Sequence, residues 1–91
     1  MNYSEKLKEA IKKSELTLNQ VAEKLQLYGF KVDKGYLSKL QNGKLPPAND
    51  DLTCQIAHIL SIDHIDLLAS AYQARIPPNV FKILIKLPIA K

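Results

Sequence analysis

Between residues 33 and 47 the chain reads DKGYLSKLQNGKLPP. Lys34 and Lys39 sit on the polar side of what the spacing predicts to be a short helix, with Ser38 beside them and Lys44 just beyond. Ammonium, hydroxyl and amide donors in one small region are the groups with which a protein meets an anion. Asp33 is a good N-cap for this helix, Leu37 and Leu40 turn inward, and Lys34, Ser38, Lys39 and Gln41 fill the rest of its circumference. Gly43 stops it, and Pro46 and Pro47 seal the stop. The helix either closes a core or presents its exposed side to something negatively charged.

Other chemistry-bearing residues are sparse. Cys54 and His58 stand at i and i+4 with His64 nearby, but a structural zinc site wants four ligands. Asp50, Asp51, Asp63 and Asp66 read as helix-start charges instead. Cys54 lacks an orienting acid for His58 and reads as packing, not as a nucleophile. Three scattered glycines cannot form a phosphate-cradling loop. No metal, cofactor or enzymatic activity is expected.

Ninety-one residues make one domain with a small core and little room for a buried cleft, which favours a binding module. The net charge of +4 suits an anionic partner. A single cysteine excludes an internal disulfide, no stretch approaches the roughly 20 apolar residues of a membrane span, and MNYSEKLKEA lacks a signal-like apolar core. The expectation is a cytoplasmic protein that does not enter a membrane.

Five helices are predicted. Asn2 and Glu5 form a capping box before Tyr3, Leu7, Ala10 and Ile11, which share one face, and Lys12 and Lys13 close the helix. Thr17 caps a second helix with a Leu18, Val21, Ala22 and Leu25 stripe, ending near Gly29. The helix after Asp33 is third. Asn49 or Asp50 caps a fourth, lined by Leu52, Ile56, Ile59 and Leu60; Ile65, Leu67, Leu68, Ala71 and Tyr72 make a fifth, ending near Pro77 and Pro78. In VFKILIKLPIAK, Val80, Ile83, Leu84 and Leu87 fit a helix, while Phe81, Ile83, Ile85 and Leu87 fit a strand. Proline suits a first turn, which tips the reading towards a short helix after Pro78. So much apolar surface must pack on the domain or on another chain, and a homodimer interface of Val80, Phe81, Ile83, Leu84 and Leu87 is the expectation.

In this order of parts the chain resembles the Xre-type, lambda-repressor-like helix-turn-helix family over roughly Leu7 to Leu68. "LTLNQVAEKL" is similar to the family's second helix, "GYLSKLQNGK" to its recognition helix and following turn, and "IAHILSIDHIDLL" to its fourth and fifth helices. Two departures stand out. The path from Ala22 to Tyr36 is longer than the family's, so Gln26 to Lys31 contain an insertion, and Leu18 stands where the family often has a phosphate-reaching Gln. The resemblance implies an all-α, five-helix domain over residues 1–75, with residues 76–91 as an apolar segment and possible dimerisation element. It implies that Lys34, Gly35, Ser38 and Lys39 face base edges in the major groove, and that Asn42, Gly43 and Lys44 contact the phosphate backbone, with Lys31, Asn19 or Gln20 adding to them. The expected function is a sequence-specific duplex-DNA-binding regulator of a bacterial, plasmid or prophage system, a repressor acting by operator occupancy. The alternative is a protein-interaction module, an antirepressor or the partner of another regulator, that keeps the fold without reading DNA. RNA binding ranks last, for want of an exposed aromatic stacking surface.

Overall fold

The computed structural model describes residues 1–75. Among these residues the chain forms five helices and no strand: α1 Tyr3–Ser14, α2 Leu18–Leu27, α3 Lys34–Gln41, α4 Asp50–Leu60 and α5 His64–Arg75. The all-α, five-helix expectation therefore holds. The segment 76–91, with the predicted interface Val80, Phe81, Ile83, Leu84 and Leu87, lies outside the described residues.

Each of the first four helices begins where a side chain can take up the backbone N–H groups that the first turn leaves unpaired. Asn2 and Glu5 form the predicted capping box of α1. Thr17 and Gln20 form a second one on α2, the Gln20 side chain accepting from the Thr17 N–H at 2.8 Å. Asp33 caps α3 through the Tyr36 N–H at 2.8 Å, and Asn49, not Asp50, caps α4. Three helix ends share another device. After α2, Phe30 N–H returns to Leu25 C=O and Gly29 N–H to Gln26 C=O, with Gly29 at φ +89°. After α3, Lys44 N–H returns to Lys39 C=O and Gly43 N–H to Leu40 C=O, with Gly43 at φ +73°. After α4, Ile62 and Ser61 do the same to Ala57 and His58, Ser61 itself adopting φ +57°. This is the Schellman closure, which satisfies the last carbonyls and turns the chain sharply.

The segment from Gln26 to Lys31 is thereby accounted for. Gln26 and Leu27 complete α2, and the Schellman turn sends Phe30 and Val32 back to pack against the core. Gln26 Nε2 donates to the Val32 carbonyl at 2.9 Å and ties the connection to the helix it leaves.

Leu7, Leu25, Leu37, Leu40, Ile56 and Leu67 are the large core residues, all buried to within 1% exposure. α3 rests on α1 and α2, while α5 rests on α1 and α4. The buried Thr53 hydroxyl lies 3.0 Å from the Tyr3 hydroxyl and donates to the Ala48 carbonyl at 3.1 Å, so this pair of hydroxyls inside the core is hydrogen-bonded. Lys6 reaches Asp66 at 2.8 Å and links α1 to α5 at the surface.

The fifth helix forms as expected, but its apolar residues do not share one face. α5 buries Leu67, Ser70 and Ala71, but Ile65 is 63% and Tyr72 47% exposed. Ile65 and Tyr72 lie across the helix from Leu67 and Ala71, and apolar residues on both sides gave no single face to choose from the sequence.

Candidate nucleic-acid interface

α3 is held on one side only. Leu37 and Leu40 are fully buried between α1 and α2, and Tyr36 is half-buried against the same core. Desolvation by this burial raises the Tyr36 hydroxyl above the ordinary phenol range. The helical period then puts Gly35, Ser38, Lys39 and Asn42 on the side away from the core, with Lys34 on its shoulder. Lys34, Gly35, Lys39, Asn42, Gly43 and Lys44 are exposed, and Ser38 is half-buried. Gly35 is the second residue of the helix, where a Cβ would come no nearer than 3.4 Å, to the capping Asp33 carboxylate.

The C-terminal turn of α3 is fixed from a distance. Asn42 Nδ2 donates to the Ser38 carbonyl at 2.8 Å, and Asn42 Oδ1 accepts from Lys8 Nζ at 3.2 Å. Ser4, one turn earlier on α1, approaches Gly43 so closely that a Cβ there would stand 3.3 Å from its Oγ. The Gly43 and Lys44 amides are spent within the Schellman turn. What this turn offers to solvent is therefore ammonium charge, from Lys44 and from Lys8. Lys8 was not anticipated, because 34 residues separate it from Asn42 and only the packing of α1 on α3 joins them.

The remaining predicted contacts are less concentrated. Lys31 is exposed on the α2–α3 connection, beside an open hollow lined by Gln26, Gly29, Phe30, Val32 and Asp33. Asn19 and Gln20 are exposed in the first turn of α2, but Asn19 Nδ2 donates to Glu23 at 3.1 Å and Gln20 is engaged in its capping box. Leu18 packs against the core. An apolar side chain at that position is thus explained by packing.

Charge is sorted along the chain. From residue 31 to 44, Lys31, Lys34, Lys39 and Lys44 stand against Asp33 alone; from 45 to 75, Asp50, Asp51, Asp63 and Asp66 stand against Arg75. Among the described residues the ion pairs are Lys6–Asp66 and Lys13–Glu9, so the four lysines around α3 are left unneutralised. No family model, curated protein or solved structure matches this chain.

Among the described residues, no three of His, Cys, Asp and Glu gather closely enough to hold a metal ion. The His58 ring meets Tyr28 edge-on, with centroids 6.3 Å apart and planes at 90°. No helix among the described residues is long and apolar enough to cross a membrane.

Proposed function

We propose that the protein binds duplex DNA through the outer face of α3 and regulates transcription by occupying its site, as a repressor. The observation that carries this reading is the combination on one short helix: a fully buried inner face, and an outer face of two unpaired lysines, a serine and a glycine. Such a face can enter a major groove. Lysine donates to guanine O6 and N7, serine donates or accepts once, and the glycine leaves room for a base edge or thymine methyl. Lys44 and Lys8 at the end of α3, and Lys31 before it, supply charge for the flanking phosphates. In this reading two copies bind as a homodimer, their helices about 34 Å apart in successive major grooves.

The test is selection of bound duplexes from a random pool, followed by binding across a salt series. A two-fold symmetric motif with a steep salt slope is the expected result. Lys39→Ala should then cost about 1 to 3 kcal/mol and relax preference at particular base positions, whereas Lys44→Ala should weaken all sequences alike and lower the salt slope by about one. Absence of any enriched motif would turn the reading towards the protein-interaction module. The observation in favour of that second reading is the exposed hydrocarbon away from α3: Leu27 is 86% and Tyr28 57% exposed at the end of α2.

A further inference from the structure

α2 carries a projecting leucine with a hollow at its foot. The helix buries Val21, Ala22 and Leu25, and its period puts Gln20, Glu23 and Leu27 on the opposite side with Lys24 beside them. Leu27 is 86% exposed, and Tyr28 next to it is 57% exposed. Along this face Leu27, Lys24, Glu23, Gln20 and the half-buried Leu16 line one open hollow. On its other side Leu27 borders Tyr28, whose ring meets His58 edge-on. A lone exposed leucine is ordinary. A leucine that projects beside a leucine-walled hollow, next to one acid and one base, makes a face able to receive its own copy.

We propose that this face pairs with the same face of a second copy, the two α2 helices running antiparallel about a two-fold axis between Glu23 and Lys24. The order of charges selects this partner. With the axis there, Glu23 of each copy faces Lys24 of the other, and Leu27 falls opposite Gln20, at the hollow that Leu16 walls. Leu27 and Gln20 lie about 10 Å apart along the helix, so the two leucines enter separate hollows and do not collide at the axis. Protrusion and hollow, acid and base are exchanged by the same rotation, as an isologous contact requires. A partner charged with one sign would be repelled by Glu23 or by Lys24, whereas a copy turned about the two-fold satisfies both. Both groups are available: Lys24 is in neither ion pair of the described residues, and Glu23 accepts one hydrogen bond, from Asn19 Nδ2 to its Oε1. α2 is about 15 Å long, so the contact is smaller than the standard area of about 800 Å² per partner, and the pair should dissociate on dilution. The pairing is argued without reference to DNA.

Sedimentation equilibrium of the full chain over a concentration series, with no DNA present, reads the pairing separately from the duplex selection. The mass should climb from one copy towards two. Leu27→Ser changes a side chain that the fold leaves in water, and should raise the dissociation constant about tenfold or more. Charge exchange tests the register. Lys24→Glu and Glu23→Lys should each stay monomeric over the same range, because like charges then face each other. An equimolar mixture of the two should pair again, since each supplies the charge that the other lacks, and a misfolded variant would not be restored by mixing. A full chain that stays monomeric at every concentration would overturn the proposal and leave this face to a different protein. A dimer indifferent to Leu27→Ser would overturn it by placing the contact elsewhere, and a mixture that stays monomeric would overturn the antiparallel pairing.

Discussion

α3 and α5 are built alike on the inside and differently on the outside. Each buries leucine against α1 and a neighbouring helix, Leu37 and Leu40 on α3, Leu67 on α5. Outward, α3 shows Lys34, Gly35, Ser38 and Lys39, whereas α5 shows Ile65, Ala69 and Tyr72. Water solvates the first set well, so those donors can stay exposed at no cost and remain available to a partner. The second set is mainly hydrocarbon, whose exposure costs about 25 cal/mol per Å², and its one polar group, the Tyr72 hydroxyl, donates to Asp50. An exposed face thus indicates what it fits: unneutralised donors fit an anion, and an aligned apolar row fits another apolar surface.

The largest effects should show where the two helices are the same. Leu40→Ala and Leu67→Ala each remove a fully buried side chain and should each cost about 2 to 5 kcal/mol in urea unfolding, because the lost burial is joined by a cavity. A much smaller loss for Leu67→Ala would mean that α5 is not part of the same cooperative core, and the comparison would fail at its base. Gly43→Ala should come next and should act on α3 alone. Its φ of +73° puts an alanine in the left-handed region at about 1 to 2 kcal/mol, and the added Cβ would press on Ser4 Oγ. The same change should loosen the Lys8–Asn42 contact, so if α3 binds DNA as proposed, weaker binding should accompany the lower melting temperature. Unchanged stability would show that neither the left-handed turn nor the approach of Ser4 constrains the end of α3.

The parts legible in the sequence were those decided by local chemistry. Asn2, Thr17 and Asp33 announce helix starts because each can accept from an N–H three residues on, and the Leu7, Val21 and Ile56 stripes follow the helical period. Glycine after α2 and α3 announces their ends. The outer face of α3 was legible for the same reason, since two buried leucines fix which way the rest must point. Other features depend on distance. Lys8 reaches the α3 turn only through packing, and that the four lysines around α3 are left unneutralised follows only from the ion pairs. The burial pattern of α5 was ambiguous because period alone cannot rank two apolar stripes on one helix; contact with α1 and α4 chose Leu67 and Ala71. The α2–α3 connection was also open, since Gly29 could have ended the helix or interrupted it.

The smallest expected effect on stability bears most directly on what the outer face of α3 is for. Gly35→Ala places a methyl group in the first turn of the helix, at the middle of the exposed face, with no closer neighbour than the Asp33 carboxylate at 3.4 Å. Alanine is favoured over glycine by about 1 kcal/mol inside a helix, and by less in a first turn, so a gain of about 0.3 to 0.5 kcal/mol in unfolding free energy is expected. If α3 is read against bases, the same methyl stands between the helix and the groove floor, and affinity for the selected duplex should fall. The two signs are opposed, and that opposition is the value of the experiment. Loss of binding in a protein that has become more stable cannot be blamed on unfolding, as it could be for Gly43→Ala. Should stability rise with affinity unchanged, nothing approaches Gly35 closely, and the groove would have to be read from the Lys34 and Lys39 edges of the helix alone.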